Sequence, residues 1–205
     1  RGEISARKQP QRARSAELVA AILDAAVQVL AQEGAQRFTT ARVAEKAGVS
    51  VGSLYQYFPN KAAILFRRQS DDWRHTTDLM RVILEDVQKP PLERLRALVH
   101  AFLRSECDEA AMRVALNDAA PLYREAPEAQ AARAAGQRTV QVFMREALPK
   151  ATEAVRELAG ALITTTLGEV GRQFSEAART PAEIEAYADA MADMFCAYLK
   201  KIEAG

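Results

Sequence analysis

Proline and glycine divide this chain into segments in which apolar residues return every three or four positions, and that rhythm limits what it can fold into more than any other feature. The first segment carries Leu18, Val19, Ile22, Leu23, Ala26, Val27, Val29 and Leu30, and Gly34 follows as a stop signal. Thr39 or Thr40 can cap a second, short helix whose face is Val43, Ala44 and Ala47 and which ends at Gly48. Ser50 can cap a third, Val51 to Tyr57, pinned by Leu54 and Phe58 and broken by Pro59 and Asn60. From Lys61 a long segment runs through Ile64, Leu65, Phe66, Trp73, Leu79, Met80, Ile83, Leu84 and Val87 to Pro90 and Pro91. Further helices are predicted at about 92–106, 109–119, 126–148, 151–178 and 181–203, punctuated by Pro121, Pro127, Pro149 and Pro181. Alanine is abundant, runs of Val, Ile and Thr are rare, and no segment reads as a strand. The predicted class is all-α.

At 205 residues, 49% hydrophobic and 27% charged, the chain suffices for one ordinary domain and a smaller one. No uninterrupted apolar run approaches the roughly 18 to 20 residues of a membrane span, and the basic opening RGEISARKQPQRAR lacks the apolar region of a secretory signal. Cys107 and Cys196 match no metal or redox spacing, so reduced thiols in a cytoplasmic protein are expected, with no metal and no cofactor. The net charge of +1 hides a division: residues 1–61 hold nine Lys/Arg against five Asp/Glu, a net of +4, and the remainder nineteen against twenty-two, a net of −3. A basic head on an acidic body suits a nucleic-acid partner. A solvated basic tail would give the same division.

Between Lys46 and Lys61 lie fourteen residues without a charge, AGVSVGSLYQYFPN, in a chain otherwise full of Arg and Glu. Three helices with a tight glycine-containing turn between the second and third are the helix-turn-helix plan, whose last helix enters the DNA major groove. Such a helix needs small residues for close approach, here Gly52 and Ser53, and groups that hydrogen-bond with base edges, here Ser53 and Gln56. Tyr55 and Tyr57 are long enough to reach phosphates at the rims, although Tyr55, Tyr57 and Phe58 would also suit a core. Arg42, Lys46, Lys61 and the arm supply positive charge.

The segment TTARVAEKAGVSVGSLYQYFPNKAAIL, preceded by ILDAAVQVLAQEGAQRF, resembles the DNA-binding region of TetR-family (tetracycline-repressor-like) transcriptional regulators. The likeness covers Ala16 to Phe66 and includes Gly34, Phe38, the threonine pair, the Gly-Val-Ser turn, the Leu-Tyr-x-Tyr-Phe core and the Asn-Lys start of the next helix. It implies that Thr40, Tyr55, Tyr57 and Lys61 contact phosphates, while Val51, Gly52, Ser53 and Gln56 face bases. Ala41 departs from the polar or basic residue that some relatives use to read a base. The resemblance further implies an all-helical C-terminal domain that dimerises through its last two helices and encloses a small-molecule cavity.

The expected organisation is thus a flexible basic arm (1–14), a helix-turn-helix domain (15–61) and a helical effector-binding and dimerisation domain (62–205). The last helix has a broad apolar face, including Tyr187, Met191, Met194, Phe195 and Tyr198, and its predecessor offers Leu158 and Leu162, with Ala159, Gly160, Gly168 and Gly171 permitting close packing. These faces could form an intramolecular core alone. For a helix-turn-helix protein a two-fold interface is favoured, because it sets two reading helices one DNA turn apart. Phe66, Trp73, Phe102, Met112, Leu116, Tyr123, Phe143, Thr165 and Thr166 have the composition of a ligand pocket, and equally of ordinary core.

The expected function is a homodimeric, cytoplasmic, ligand-responsive repressor. Its partners would be a palindromic operator in double-stranded DNA and a small effector with an apolar portion. A helical-bundle adaptor would leave the uncharged segment without a purpose. An enzyme is disfavoured: His75 and His100 sit in no metal-binding pattern, and the chain has no P-loop or G-x-G-x-x-G.

Overall fold

The computed structural model describes residues 13–110 and 127–204. The predicted helix at 109–119 falls almost wholly outside them, as do residues 1–12 of the arm. Eight α-helices are found among the described residues: α1 (Ala13–Glu33), α2 (Thr40–Ala47), α3 (Val51–Tyr55), α4 (Lys61–Leu84), α5 (Pro91–Asp108), α6 (Pro127–Ala147), α7 (Glu153–Phe174) and α8 (Pro181–Ala204). There is no strand among them. Several boundaries differ from expectation: α1 begins inside the predicted arm, α3 is two residues shorter, α4 stops at Leu84 short of Val87, and α7 stops at Phe174 rather than 178.

Contacts divide the chain into two compact units, the first including residues up to Trp73, the second Arg74–Ala110 with Ala131–Gly205. The first is a head built around Ile22, Ala26, Val29, Phe38, Val43, Leu54, Phe58 and Ile64, all nearly inaccessible to water. The first turns of α4, Ala63–Phe66, pack in this same core. By length and composition Ser15–Glu33 would be apolar enough to cross a membrane, although charged and polar residues interrupt its apolar run. Its apolar stripe instead forms one wall of the head, with Val19, Ile22, Ala25, Ala26, Val29 and Leu30 buried.

The second unit packs Leu84, Leu95, Leu98, Val99 and Leu103 against Phe143, Met144, Leu148, Ile163, Leu167 and the inner face of α8. Close approach depends on two glycines of α7. A Cβ at Gly160 would lie 3.2 Å from Val140, and one at Gly171 would lie 3.1 Å from Phe102. Across α5 and α8 runs a ladder of charge. Arg96, His100 and Arg104, four residues apart, face Asp193, Asp189 and Glu185, also four apart and in reverse order, so the helices are antiparallel. Each imidazole nitrogen of His100 meets a carboxylate, Glu185 at 3.0 Å and Asp189 at 3.1 Å. The Arg104 guanidinium holds the Glu185 carboxyl below the usual carboxylate range. That contribution is complete above the unfolded-state pKa and is lost as pH falls through the lowered folded value.

Candidate functional site

The head presents one short helix outward on a closely specified turn. Thr39, not Thr40, caps α2: its hydroxyl accepts the Arg42 N–H at 3.3 Å. Gly48 ends α2 with φ of 67°, a left-handed conformation that glycine adopts without Cβ strain. Its N–H donates to the Glu45 carbonyl and that of Val49 to the Ala44 carbonyl, the double bond of a Schellman stop. Two residues later Ser50 caps α3, accepting the Ser53 N–H at 3.0 Å, and the two serine hydroxyls lie 2.8 Å apart. Leu54 alone in α3 is buried and anchors it to the head. Val51, Gly52, Tyr55 and Gln56 are exposed and Ser53 is half-buried, so the outward face is uncharged and carries small, amide and hydroxyl groups.

Thr40 and Tyr55 join across the turn through their hydroxyls at 3.1 Å. Asn60 caps α4 by accepting the Ala63 N–H at 2.9 Å, which sets Lys61, exposed, as the first residue of that helix. Two expectations need correction. Tyr57 does not stand at a rim: it is 6% exposed and its side chain belongs to the head core. Arg42 is held in an ion pair with Glu33, so its charge is partly neutralised within the head.

In the second unit an apolar cavity of about 40 Å³ is lined by Met80, Leu84, Leu95, Leu98, Phe102, Val140, Phe143, Met144, Ile163, Thr164 and Leu167. Of the pocket candidates, Phe102 and Phe143 stand on its wall. Phe66 and Trp73 do not: they meet edge-on in the head, ring centres 6.5 Å apart. Thr164 lines the cavity whereas Thr165 and Thr166 do not. Met112, Leu116 and Tyr123 lie outside the described residues. The remaining wall residues sit at ordinary core spacing, and no sequence signal separates them from core.

The candidates for self-association divide into two sets. Met191 (6% exposed) and Phe195 (3%) are buried in the protomer's own core, a correction to their expected place at an interface. Tyr198 is half-buried against that core. Leu158, Leu162 and Met194 are exposed at 63%, 49% and 53%, and Tyr187, stacked on Phe174 with centroids 4.1 Å apart, is exposed at 38%. Among the described residues no group of three His, Cys, Asp or Glu is placed to hold a metal.

An α2–turn–α3 unit with an outward, uncharged second helix, joined to an all-helical second unit, defines a helix-turn-helix protein. The family model for bacterial regulatory proteins of the tetR family matches residues 22–67, and that for the tetracyclin repressor-like C-terminal domain matches residues 90–202. The chain belongs to the TetR family. It is similar to the nucleoid occlusion factor SlmA of Vibrio campbellii, 39% identical over 83 residues, 40% of this chain and 42% of that protein. It is also similar to the fatty acid metabolism regulator protein of Bacillus subtilis, 46% identical over 44 residues, 22% of this chain and 23% of that one. The chain thus spans less than half the length of these curated relatives. Among solved structures, the fatty acid degradation regulator FadR from Bacillus halodurans shares the fold, with a TM-score of 0.68 at 20% identity over 92% of this chain and 96% of that one.

Proposed function

We propose that this chain is a homodimeric cytoplasmic repressor that reads a palindromic operator in double-stranded DNA through α3 and releases it when a small effector with an apolar portion enters the cavity of the second unit. The observation that carries the reading is α3 itself, anchored by Leu54 alone and presenting Val51, Gly52, Ser53 and Gln56 outward without a charge. A helix so presented fits a groove in which each base pair offers a donor and acceptor pattern. Thr40, Tyr55 and Lys61 flank it as phosphate contacts, and the basic balance of residues 1–61 supplies the attraction to the duplex. Leu158, Leu162, Tyr187 and Met194 are the apolar groups through which a second copy pairs, setting two α3 helices on successive half-sites. Release on effector binding follows the family resemblance. The two Bacillus proteins it resembles are regulators by name, and no enzymatic role is assigned.

Selection of operators from a random duplex pool, followed by titration at two salt concentrations, tests the reading. A two-fold-symmetric selected site and steep salt dependence are expected. Failure to retain any duplex at low salt would overturn it. Within that assay Lys61→Ala should weaken selected and random duplex alike and lower the salt slope by about one unit, since a phosphate contact carries no sequence information. Loss confined to one base position would contradict that role. Gln56→Ala should instead relax preference at one position of each half-site by about 1 to 3 kcal/mol. An unchanged selected operator would move Gln56 to the backbone or to solvent.

A further inference from the structure

Ten of the eleven residues around the cavity are apolar, and the eleventh, Thr164, has its hydroxyl engaged with the Gly160 carbonyl at 2.8 Å. Beside this wall lies a buried cation. Arg94 of α5 is 3% exposed, its Nη1 donates to the Leu84 carbonyl, and its Nη2 donates to Glu146 at 2.7 Å. The guanidinium stands 5.5 Å from the centre of the Phe143 ring. Leu84 and Phe143 both line the cavity, so two of the groups that Arg94 touches are cavity residues. Among the described residues its Nε finds no hydrogen-bond acceptor.

A buried guanidinium with an unused donor is costly, and it strongly favours an anion able to take that donor. The carboxylate it has is replaceable: the Glu146 side chain is 40% exposed and can turn into water, whereas Arg94 is enclosed. Nε and Nη2 form one edge of the guanidinium, the edge that accepts a carboxylate through two parallel bonds. Glu146 uses Nη2 and leaves Nε unmet. Met80 and Met144 give the cavity adaptable walls that can re-pack around a larger guest.

We propose that the effector is an amphipathic carboxylate, its hydrocarbon part filling the cavity and its carboxylate displacing Glu146 to take both Nε and Nη2 of Arg94. This rests on the reading of the cavity as the effector site. The exchange also touches the end of α4, because the same guanidinium holds the Leu84 carbonyl.

The test is calorimetric titration of the full chain, without DNA, using octanoate and 1-octanol as a matched pair. Octanoate should bind about tenfold or more tightly than the alcohol, the scale of a charge-assisted bidentate contact. Glu146→Gln removes the competing charge and should raise octanoate affinity about threefold or more while leaving octanol unchanged. Arg94→Met should make the two ligands equivalent; if that variant does not fold, the surface substitution at Glu146 decides alone. Equal binding of the pair to the unmodified protein, binding of neither, or an octanoate affinity that Glu146→Gln leaves unchanged overturns the proposal. Because no DNA is present, the release reading fails separately, as octanoate binding without any change in operator affinity.

Discussion

Replacing Met194 by Asp is expected to leave a folded monomer that has lost its operator, while Phe195→Asp, one residue further on, is expected to leave no folded protein. The two side chains are adjacent in α8 but face different surroundings, Met194 being 53% exposed and Phe195 3%. In the free protomer an aspartate at 194 stays hydrated, and a surface change of this kind alters stability by about 0.5 kcal/mol or less. Brought against a second copy it must be desolvated without a partner, a cost of about 3 to 5 kcal/mol, enough to raise the dimer dissociation constant more than about a hundredfold. Two heads no longer held together lose the gain from engaging both half-sites at once. At 195 the same carboxylate enters the core among Leu95, Val99 and Leu199, and the aromatic burial is lost as well. Together these approach the roughly 5 to 15 kcal/mol by which such a domain is stable. Sedimentation and circular dichroism read both outcomes. A Met194→Asp protein that still sediments as a dimer would move the interface off this face, and a natively folded Phe195→Asp protein would contradict its burial.

That contrast also shows where the sequence was readable and where it was not. The apolar face of the last helix is so broad that it serves two purposes: Ala188, Met191, Phe195 and Leu199 repeat at three and four and turn inward, while Tyr187 and Met194, seven apart, lie on the flank. Composition marks the whole face as apolar, and only the inward repeat distinguishes core from surface. The head was more legible because its constraints are local. Capping by threonine and serine, a left-handed Gly48 and a charge-free third helix each leave a mark on the chain itself. Even there, Tyr57 carried a signal that its chemistry obscured: it lies three residues after the buried Leu54 and shares that side, whereas Tyr55 lies four after the exposed Val51. The cavity was the least legible part. Its wall residues repeat as any core does, and what opens a void among them is the meeting of α4, α5, α6 and α7, which no single segment encodes. Arg94, set in the stripe of Pro91, Leu95 and Leu98, was a discordant residue that helical spacing could have exposed.

Gly52→Leu is expected to preserve or raise the stability of the fold while reducing operator affinity about a hundredfold or more. Glycine in a helix costs about 0.5 to 1 kcal/mol relative to a good helix former, so its place in α3 calls for a reason. The head supplies none: Gly52 is exposed, its backbone is not left-handed, and an added Cβ would meet nothing closer than the Ser50 hydroxyl at 3.8 Å. A Cβ therefore fits among the described residues without displacing a neighbour, and the exposure of Gly52 gives a longer side chain room toward solvent. What it does not fit is a surface pressed against α3, where the Cα of Gly52 would lie beside base edges and a leucine would hold the helix away from them. Each bond of Ser53 and Gln56 to a base would lengthen together, and a bidentate contact alone carries about 1 to 3 kcal/mol. Thermal unfolding and operator titration on the same preparation separate the two effects. A midpoint equal to or above that of the unmodified protein, with operator binding lost, places the face of α3 around Gly52 against DNA. Unchanged binding would mean that this face never meets the groove, and the reading helix would have to be sought elsewhere.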